Sequence, residues 1–251
     1  MKHGFVVPVY RHGETVGPLA EKLASISGGL PVIIVDDGND AQTKEILAEW
    51  QKRIPSVVLV SLKKNTGKGG AVIKGFEKAA ELGLTHVFQI DADGQHDTTM
   101  IGFFLEESAK NPDKVICGFP VFDGNAPKSR VAGRRVSNLW AAVVTLSKEL
   151  KDVLCGFRVY PLDAVLRITR NPLMDRRMGF DPEILVRLYW KRVFPIFHPI
   201  KVIYPEGGVS NFRVFHDNLR ISWMFTRLCV GMLLRFPMLI ILRVKRNAGR
   251  K

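Results

Sequence analysis

The chain has 251 residues, of which 46% are hydrophobic, enough for one sizeable core and short of two comfortable domains. Three widely spaced cysteines exclude a disulfide framework or a cysteine-based zinc site and indicate a reducing compartment. The net charge of +13 comes from the second half: residues 1–125 carry 13 Lys and Arg against 16 Asp and Glu, whereas residues 126–251 carry 24 against 8. Such a basic half predicts an anionic partner, which leaves nucleic acid, a phospholipid surface and a phosphorylated substrate as the open classes.

The apolar runs of the chain bear on membrane targeting. Pro8 and Arg11 interrupt the run near the N-terminus, so we expect no signal peptide. No run reaches the roughly 18 uncharged apolar residues that a spanning helix needs. We therefore expect a cytoplasmic protein whose contact with a membrane is peripheral.

Strand and helix patterns alternate along the chain. Apolar strands are predicted at 5–9, 32–35, 57–60 and 85–90, with helices at 15–26, 40–51 and 69–82 between them, the second capped by Asn39. Further patterns predict a strand at 115–119, helices at 139–146 and 180–192, and a long amphipathic helix from 217 to about 246. Strands that are apolar throughout and separated by helices indicate an α/β fold, with a mostly parallel central sheet covered by helices on both faces.

Two aspartates, Asp91 and Asp93, follow the predicted strand at 85–90. Ligands bind at the carboxyl ends of strands in open α/β sheets, and Gly94 lets the chain turn sharply there. Residues two apart lie on the same side of an extended chain, so the carboxylates would repel each other unless a hard divalent cation lies between them and a diphosphate. The pattern predicts a metal site, with an idle, solvated Asp-Gly turn as the alternative.

Three further loops are expected at the same edge of the sheet, at residues 8–14, 36–40 and 65–70. The third is glycine-rich and leads into a helix, where its backbone amides could receive an anion or the edge of a base. It matches neither a Walker loop nor a dinucleotide fingerprint, because no Lys-Ser/Thr pair follows and the glycine spacing differs.

Taken together, the four loops resemble those of glycosyltransferase family 2, the inverting nucleotide-sugar enzymes of GT-A fold. The resemblance covers about residues 4–215 and is closest to the branch that makes dolichyl- or polyprenyl-phosphate sugars. The matching stretches are Val7-Pro8-Val9-Tyr10 with Glu14, Val35-Asp36-Asp37-Gly38, Asn65-x-Gly67-Lys68-Gly69 and Asp91-Ala92-Asp93-Gly94-Gln95-His96.

The resemblance implies a donor site for a UDP- or GDP-sugar. The implied ligands of Mg²⁺ or Mn²⁺ are Asp91, Asp93 and Gln95, and the cation would neutralise the nucleoside diphosphate as it leaves. Transfer would therefore depend on Asp93 as a catalytic residue. Asp37 would hydrogen-bond to the base. The implied nucleotide-binding positions are Pro8, Tyr10, Glu14, Asp37, Gly67, Lys68 and Asp91.

Basic residues precede the helix predicted at 139–146. In the polyprenyl-phosphate branch, basic residues at this place bind the lipid phosphate, so the resemblance assigns Arg134 or Arg135 to the acceptor. An ordinary solvated helix start is the alternative. Phe119-Pro120 stands where that branch often has an arginine, which is a departure from the pattern.

Asp181 has two open interpretations. With Pro182 behind it, it suits the N-cap of the helix at 180–192. It is also the general-base candidate if the acceptor is an alcohol, because transfer to a hydroxyl needs a base whereas a phosphate is already an anion. Its spacing to Glu183 resembles an acidic pair in other branches of the family.

Residues 204–213 resemble the family's Gly-x-Ser loop, which closes over the donor diphosphate. The resemblance makes Ser210 and Arg213 the contacts, although Asn211 replaces the commoner Lys or His. A plain linker between a strand and a helix is the alternative.

The predicted C-terminal helix combines Met and Leu with recurring arginines. This composition suits an interfacial helix, with its apolar side in the acyl boundary and its arginines among anionic headgroups. Packing onto the parent domain, or onto a second copy in a homo-oligomer, is the alternative. We divide the chain into a GT-A domain at 1–215 and this helix at 216–251.

The sequence thus favours an inverting, metal-dependent glycosyltransferase on the cytoplasmic face of the cell membrane, with a lipid-linked acceptor such as polyprenyl phosphate. The alternative keeps the donor chemistry but uses a hydroxyl of another lipid or glycan, with Asp181 as base. A nucleotidyltransferase lacks its glycine-rich signature after the first strand. A basic nucleic-acid- or membrane-binding module is the most remote possibility; no nucleic-acid partner is expected, because the basic helix has no interleaved aromatic residues for stacking on bases.

Overall fold

A computed structural model of the chain describes residues 1–26, 28–121, 128–202 and 213–248, without the side chains of 128–130 and 247. The strands are β1 (His3–Val9), β2 (Val32–Asp36), β3 (Val57–Ser61), β4 (His86–Gln89), β5 (Val115–Val121), β6 (Arg158–Pro161) and β7 (Pro195–Lys201). The helices are α1 (Gly13–Ile26), α2 (Ala41–Arg53), α3 (Lys68–Glu81), α4 (Ile101–Lys110), α5 (Lys128–Thr145), α6 (Leu162–Thr169), α7 (Phe180–Trp190) and α8 (Val214–Ala248), with a 3-10 turn at Thr98–Met100 before α4.

The strands form one sheet in the order β3-β2-β1-β4-β6-β5-β7. β1 to β4 run parallel, and β5 and β7 are parallel to each other, whereas β6 is antiparallel to both of its neighbours. The prediction of a mostly parallel sheet is confirmed. The first four predicted strands are all present, and their carboxyl ends meet at one edge.

Helices cover both faces of the sheet because successive strand residues point to opposite sides. In β1, Val6 belongs to the apolar cluster shared with α3, α6 and α7, whereas Phe5 and Val7 belong to the cluster shared with α1 and α4. The central strands lie between these two buried clusters. Both of their faces are therefore covered, which explains why these strands are apolar throughout.

Two predicted helix starts differ from the structure. Asp40, not Asn39, caps α2 by accepting a hydrogen bond from the backbone N–H of Thr43, whereas Asn39 is buried and bonds to Asp36 and to the carbonyl of Val9. Asp181 does not cap α7, because Gly179 is the capping position and Asp181 lies within the first turn. The Asn and Asp residues indicated where these helices begin, but the side chains predicted as caps bond to other parts of the fold instead.

The C-terminal helix α8 is present as predicted and begins slightly earlier, at Val214. Its residues Met224, Leu228 and Leu239 are buried in the cluster that α5 and α7 share, whereas Trp223 is 63% exposed. In the described part of the chain, a stretch of α8 within residues 214–246 is long and apolar enough to cross a membrane by length and composition alone. The charged residues that interrupt the apolar run of α8 therefore do not exclude a span. This differs from our expectation that no run in the sequence is long and apolar enough to cross a membrane.

Candidate active site

A cavity of about 910 Å³ opens at the carboxyl edge of the sheet, and we call it the central cavity. The loops after β1, β2, β3 and β4 all reach it, as the strand pattern predicts for parallel strands. The segment before β6, part of α5, and the starts of α7 and α8 complete its lining. The predicted donor-site residues in this lining are Pro8, Tyr10, Asp37, Gly67, Lys68, Asp91, Asp93, Gln95 and Arg213.

Two predicted donor residues are not among these. Glu14 is exposed on the first turn of α1 and lies outside the lining of the cavity. Ser210 falls outside the described residues. The nucleotide-binding roles of both stay predictions.

Asp37 organises the glycine-rich loop that precedes α3. Its Oδ1 accepts hydrogen bonds from the backbone N–H (2.6 Å) and the hydroxyl (2.8 Å) of Thr66, and its Oδ2 accepts from Asn65 Nδ2 (3.0 Å) and the Gly67 N–H (2.9 Å). Burial raises the pKa of Asp37 while these hydrogen bonds act to lower it. A carboxylate has about four acceptor positions, and the loop donates to all four here, while the hydrogen bond to a base stays a prediction. Asp37 therefore fixes the shape of the loop in this conformation.

The segment before α7 packs directly on the same loop. The Gly70 N–H donates to the carbonyl of Arg176 (2.8 Å), and the Arg177 guanidinium donates to Asn65 Oδ1 (3.3 Å). A Cβ at Gly67 would lie 2.5 Å from Cγ of Arg177, and its φ of +88° also favours glycine. Sequence reasoning missed Arg177 as a cavity residue, because no local pattern shows which loop a distant arginine covers.

The turn after β4 carries Asp91 and Asp93. The strand ends at Gln89, so the two aspartates lie in a turn rather than on an extended chain. Asp93 Oδ1 accepts from the Gln95 N–H (3.1 Å), and Thr15 ties the turn to α1 by donating to the carbonyl of Ala92 (2.6 Å). Both carboxylates still reach the central cavity.

Gly156 lies directly against the carboxylate of Asp91. A Cβ at position 156 would lie 2.6 Å from Oδ2 and 2.8 Å from Oδ1 of Asp91. The Asp91 carboxylate therefore leaves no room for a side chain at position 156. Beside it, burial raises the pKa of the Cys155 thiol to about 12, which keeps this cavity-lining cysteine protonated.

Lys68 joins Asp91 to Asp181. Its Nζ lies 2.8 Å from both oxygens of Asp91 and 2.6 Å from Oδ2 of Asp181, while Asp181 Oδ1 accepts from Gln89 (2.9 Å). Burial acts to lower the pKa of Lys68, but Asp181 and then Asp91 outweigh it, so its pKa is raised above the usual value. Behind this group, the buried Arg158 donates to the backbone carbonyl of Asp181 (2.8 Å).

The residues at this turn have the chemistry that a divalent cation requires. Two carboxylates and an amide oxygen are hard ligands of the kind that Mg²⁺ and Mn²⁺ prefer. Within the described ranges no group of three His, Cys, Asp or Glu side chains forms a ready-made cage. The Asp91 oxygens face the Lys68 ammonium, whereas Asp93 has no such ion-pair partner in the described residues. The fit is therefore best at Asp93 and Gln95.

The α5 wall of the cavity separates the two predicted phosphate-binding arginines. Arg134 lines the cavity and bonds to the buried Asp152 (2.6 Å), which also holds the turn before Gly156 through the N–H groups of Leu154 and Cys155. Arg135 is exposed and lies outside the lining. The structure thus places Arg134 at the site and Arg135 beside it.

The start of α8 forms another part of the wall, of which the sequence predicted only Arg213, the residue before the helix. Arg213, His216, Asp217 and Arg220 all line the cavity there. Asp217 is buried and accepts from the Arg213 N–H (2.7 Å), which anchors the beginning of the helix. An amphipathic pattern shows that a helix is two-sided, but it does not show that its first turns close a distant cavity.

Comparison with known proteins decides the family. A model described as "Glycosyl transferase family 2" matches residues 5–200. The chain belongs to this family. It is a glycosyltransferase of GT-A fold, as the four loops indicated.

Relatives of this family 2 chain include an undecaprenyl-phosphate mannosyltransferase of Micrococcus luteus, 27% identical over 210 residues, covering 82% of this chain and 85% of the relative. A UDP-N-acetylglucosamine–dolichyl-phosphate N-acetylglucosaminyltransferase of Methanococcus voltae is 23% identical over 239 residues, covering 86% and 94%. A dolichyl-phosphate beta-glucosyltransferase of Dictyostelium discoideum is 30% identical over 201 residues, covering 76% and 60%. All three are named for a lipid phosphate.

Among solved structures, S. aureus TarS 1-349 in complex with UDP superposes with a TM-score of 0.59 at 14% identity, covering 91% of this chain and 65% of that chain. TarS 1-349 in complex with UDP-GlcNAc gives a TM-score of 0.54 at 14% identity, covering 93% and 72%. At this identity the likeness shows the fold alone.

Proposed function

We propose that this glycosyltransferase transfers a sugar from a UDP- or GDP-sugar to a polyprenyl phosphate at the cytoplasmic face of a membrane. The observation that carries the proposal is that one cavity combines the donor loops with basic side chains from α5 and α8. Those two helices also expose large apolar side chains, among them Leu139 on α5 and Phe215 and Trp223 on α8. A lipid with an anionic head suits such a combination. The relatives named for lipid phosphates support the same acceptor class.

The charged side chains of the cavity suit the transfer of a sugar to a phosphate. An acceptor phosphate oxygen would attack the anomeric carbon as the bond to the nucleoside diphosphate breaks, which inverts the configuration. Asp93 and Gln95 would hold Mg²⁺ or Mn²⁺, with Asp91 joining them if Lys68 moves, and the cation supplies positive charge for the departing diphosphate. Lys68 and Arg213 would add positive charge at the same place.

The engagement of Asp181 favours a phosphate over a hydroxyl acceptor. Its carboxylate already accepts from Gln89 and pairs with Lys68, so it is built into the site as the partner of a cation. A phosphate acceptor needs no general base, whereas a hydroxyl does. Transfer to a hydroxyl, with Asp181 as base, remains the second candidate because Asp181 also lines the cavity.

The membrane contact of α8 belongs to the same proposal. The exposed apolar side chains of α8 extend from Val214 to Val244, and basic residues are interspersed among them. We propose that this surface lies against an anionic bilayer, peripherally rather than across it. Self-association through the same surface is the alternative occupant.

A panel of UDP- and GDP-sugars, each with polyprenyl phosphate or polyprenol, tests the acceptor. Glycolipid is expected with the phosphate and not with the alcohol. Arg134→Ala should raise the acceptor KM, while the neighbouring Arg135→Ala serves as the matched control outside the cavity. Product formed with polyprenol but not with its phosphate would overturn the proposal in favour of the hydroxyl acceptor.

A further inference from the structure

Some basic side chains of the central cavity form ion pairs with carboxylates of the protein, and others do not. Lys68 pairs with Asp91 and Asp181, and Arg134 pairs with Asp152. Arg220 lines the same cavity and is exposed, and its guanidinium makes no hydrogen bond or ion pair with any residue of the described ranges. An arginine without a carboxylate partner keeps its five N–H donors for an external anion.

The position of Arg220 relates it to the acceptor rather than to the nucleotide. It lies in the second turn of α8, whereas the donor loops follow β1 to β4. Helix α8 packs against α5, where the rings of Phe225 and Trp140 are 6.4 Å apart, and α5 carries Arg134 and Ser137 of the cavity lining. Arg220 therefore belongs to the α5–α8 part of the cavity wall, which is distinct from the strand-end loops.

The surroundings of Arg220 indicate what kind of anion it would meet. Its helix neighbours Leu219 and Trp223 are both 63% exposed, and Leu139 on α5 is 65% exposed. These exposed apolar side chains offer no polar groups to a polar ligand, but they suit contact with the hydrocarbon chain of an amphiphile. The ligand class that matches both features is a phosphomonoester on a long apolar chain.

Resting on the lipid-phosphate acceptor proposed above, we propose that Arg220 binds the phosphate of that acceptor. The first turns of α8 are then part of the acceptor site, and not only a membrane contact. The phosphate would lie between Arg220 and the α5 side of the cavity, with its chain leaving over the exposed apolar residues of the two helices.

The test measures equilibrium binding of polyprenyl phosphate, and of polyprenol of the same length, to the full chain in micelles of a neutral detergent. The wild type should bind the phosphate more tightly than the alcohol. Arg220→Ala should weaken binding of the phosphate by about 10- to 100-fold, the range expected when one charge-assisted hydrogen bond is lost, and leave the alcohol unchanged. Arg220→Lys should restore part of the difference, because it keeps the charge but not the planar fork.

Arg243→Ala is the matched control, because Arg243 is an exposed arginine of the same helix outside the lining of the cavity. Both variants should lose similar affinity for vesicles that contain phosphatidylglycerol and no polyprenyl phosphate, whereas only Arg220→Ala should lose the lipid phosphate in micelles. If Arg220→Ala binds polyprenyl phosphate like the control, the proposal is wrong. Selective loss of vesicle binding alone would also overturn it, and would assign Arg220 to a membrane headgroup.

The binding test of Arg220 can fail or succeed independently of the proposed function. Binding in micelles is measured without a donor, so a wild type that binds the phosphate through Arg220 but makes no glycolipid would refute the reaction and keep the site. A wild type that makes glycolipid while Arg220→Ala binds the phosphate normally would keep the reaction and refute the site.

Discussion

The Nζ atom of Lys68 lies 2.6 Å from Oδ2 of Asp181, which joins the first residue of α3 to the first turn of α7. The two side chains are 17% and 5% exposed. The same ammonium contacts both oxygens of Asp91, so a single cation pairs with two carboxylates in the cavity and neutralises only one of their two charges. The turn after β4, the start of α3 and the start of α7 are therefore joined by one set of ion pairs.

Lys68→Met should destabilise the protein because it leaves Asp91 and Asp181 without their cation. Removing one partner of a buried ion pair typically costs about 3–5 kcal/mol. The matched control is Lys74→Met, which breaks the half-exposed pair with Glu77 on the same helix and should cost at most about 1 kcal/mol. Urea unfolding of both variants measures the difference. Equal stabilities would show that the carboxylates do not depend on Lys68.

Asp181→Asn separates the two acceptor chemistries. With a phosphate acceptor the rate of transfer should fall modestly, by less than about 10-fold, because no proton needs to be removed. Loss of a general base would cost about 10²–10⁴-fold. The rate is measured with donor and acceptor both saturating, and nucleotide binding and unfolding show whether the site is intact. A folded variant that binds donor but has lost activity by the larger factor would establish the hydroxyl acceptor.

The sequence predicted which strand-end loops line the cavity far better than which residues of α5 and α8 do. Asp37, the glycine-rich loop and Asp91 each follow an apolar strand, and parallel strands bring their carboxyl ends together whatever the remaining contacts are. Their partners were not predictable in the same way. The hydrogen bonds of Asp37 to Thr66 and Gly67 depend on the exact path of the loop.

The rest of the cavity wall depends on contacts between residues far apart in the chain. The antiparallel strand β6 follows Gly156 and places it against Asp91, and neither the short strand nor its direction has a clear pattern in the sequence. Arg134 and Arg135 were equivalent on sequence alone, and the orientation of α5 separates them. For α8, the pattern predicted the helix, with packing onto the parent domain as the alternative, but it did not show the cavity contact of Arg220.

Gly156→Ala should reduce transfer strongly without unfolding the protein. The new methyl group would lie less than 3 Å from the Asp91 carboxylate, so that carboxylate or the backbone must move. The matched control is Gly102→Ala on α4, where a Cβ meets open space and alanine favours the helix. Activity and thermal unfolding are compared for the two variants. Full activity of Gly156→Ala would show that the position of Asp91 is not critical.

Asp93→Asn should abolish transfer while the fold remains, and a chelator should silence the wild type in the same way. The reason is that Asp93 offers a carboxylate to the cavity that no cation of the described residues neutralises. Calorimetric titration with Mn²⁺ in the presence of nucleoside diphosphate provides a readout besides activity. Asp97→Asn is the control, because Asp97 caps the turn before α4 and lies outside the lining. Undiminished transfer in the chelator would exclude a role for the metal.

The packing of α8 determines which variants can test the membrane contact that we propose for it. Removing residues 216–251 would release the membrane surface if the helix were a separate unit. In the structure the same removal also takes Met224, Leu228 and Leu239 out of the core, together with the Arg246–Glu149 ion pair (2.7 Å). Unfolding would then obscure any effect on the membrane. Substitutions on the exposed side of the helix avoid this problem.

Leu234→Glu combined with Ile241→Glu should release the enzyme from anionic vesicles while leaving its stability nearly unchanged. The two side chains are 79% and 55% exposed, so each glutamate removes apolar contact with the bilayer and adds repulsion from its headgroups. Leu228→Ala, at a position only 1% exposed, should show the reverse: a loss of about 2–5 kcal/mol in the free energy of unfolding with vesicle binding retained while folded. Vesicle sedimentation at low and high salt and urea unfolding are measured on all three proteins. If the double glutamate variant still sediments with vesicles and differs from the wild type only in its oligomeric state, α8 is an interface between copies of the chain and not a membrane surface.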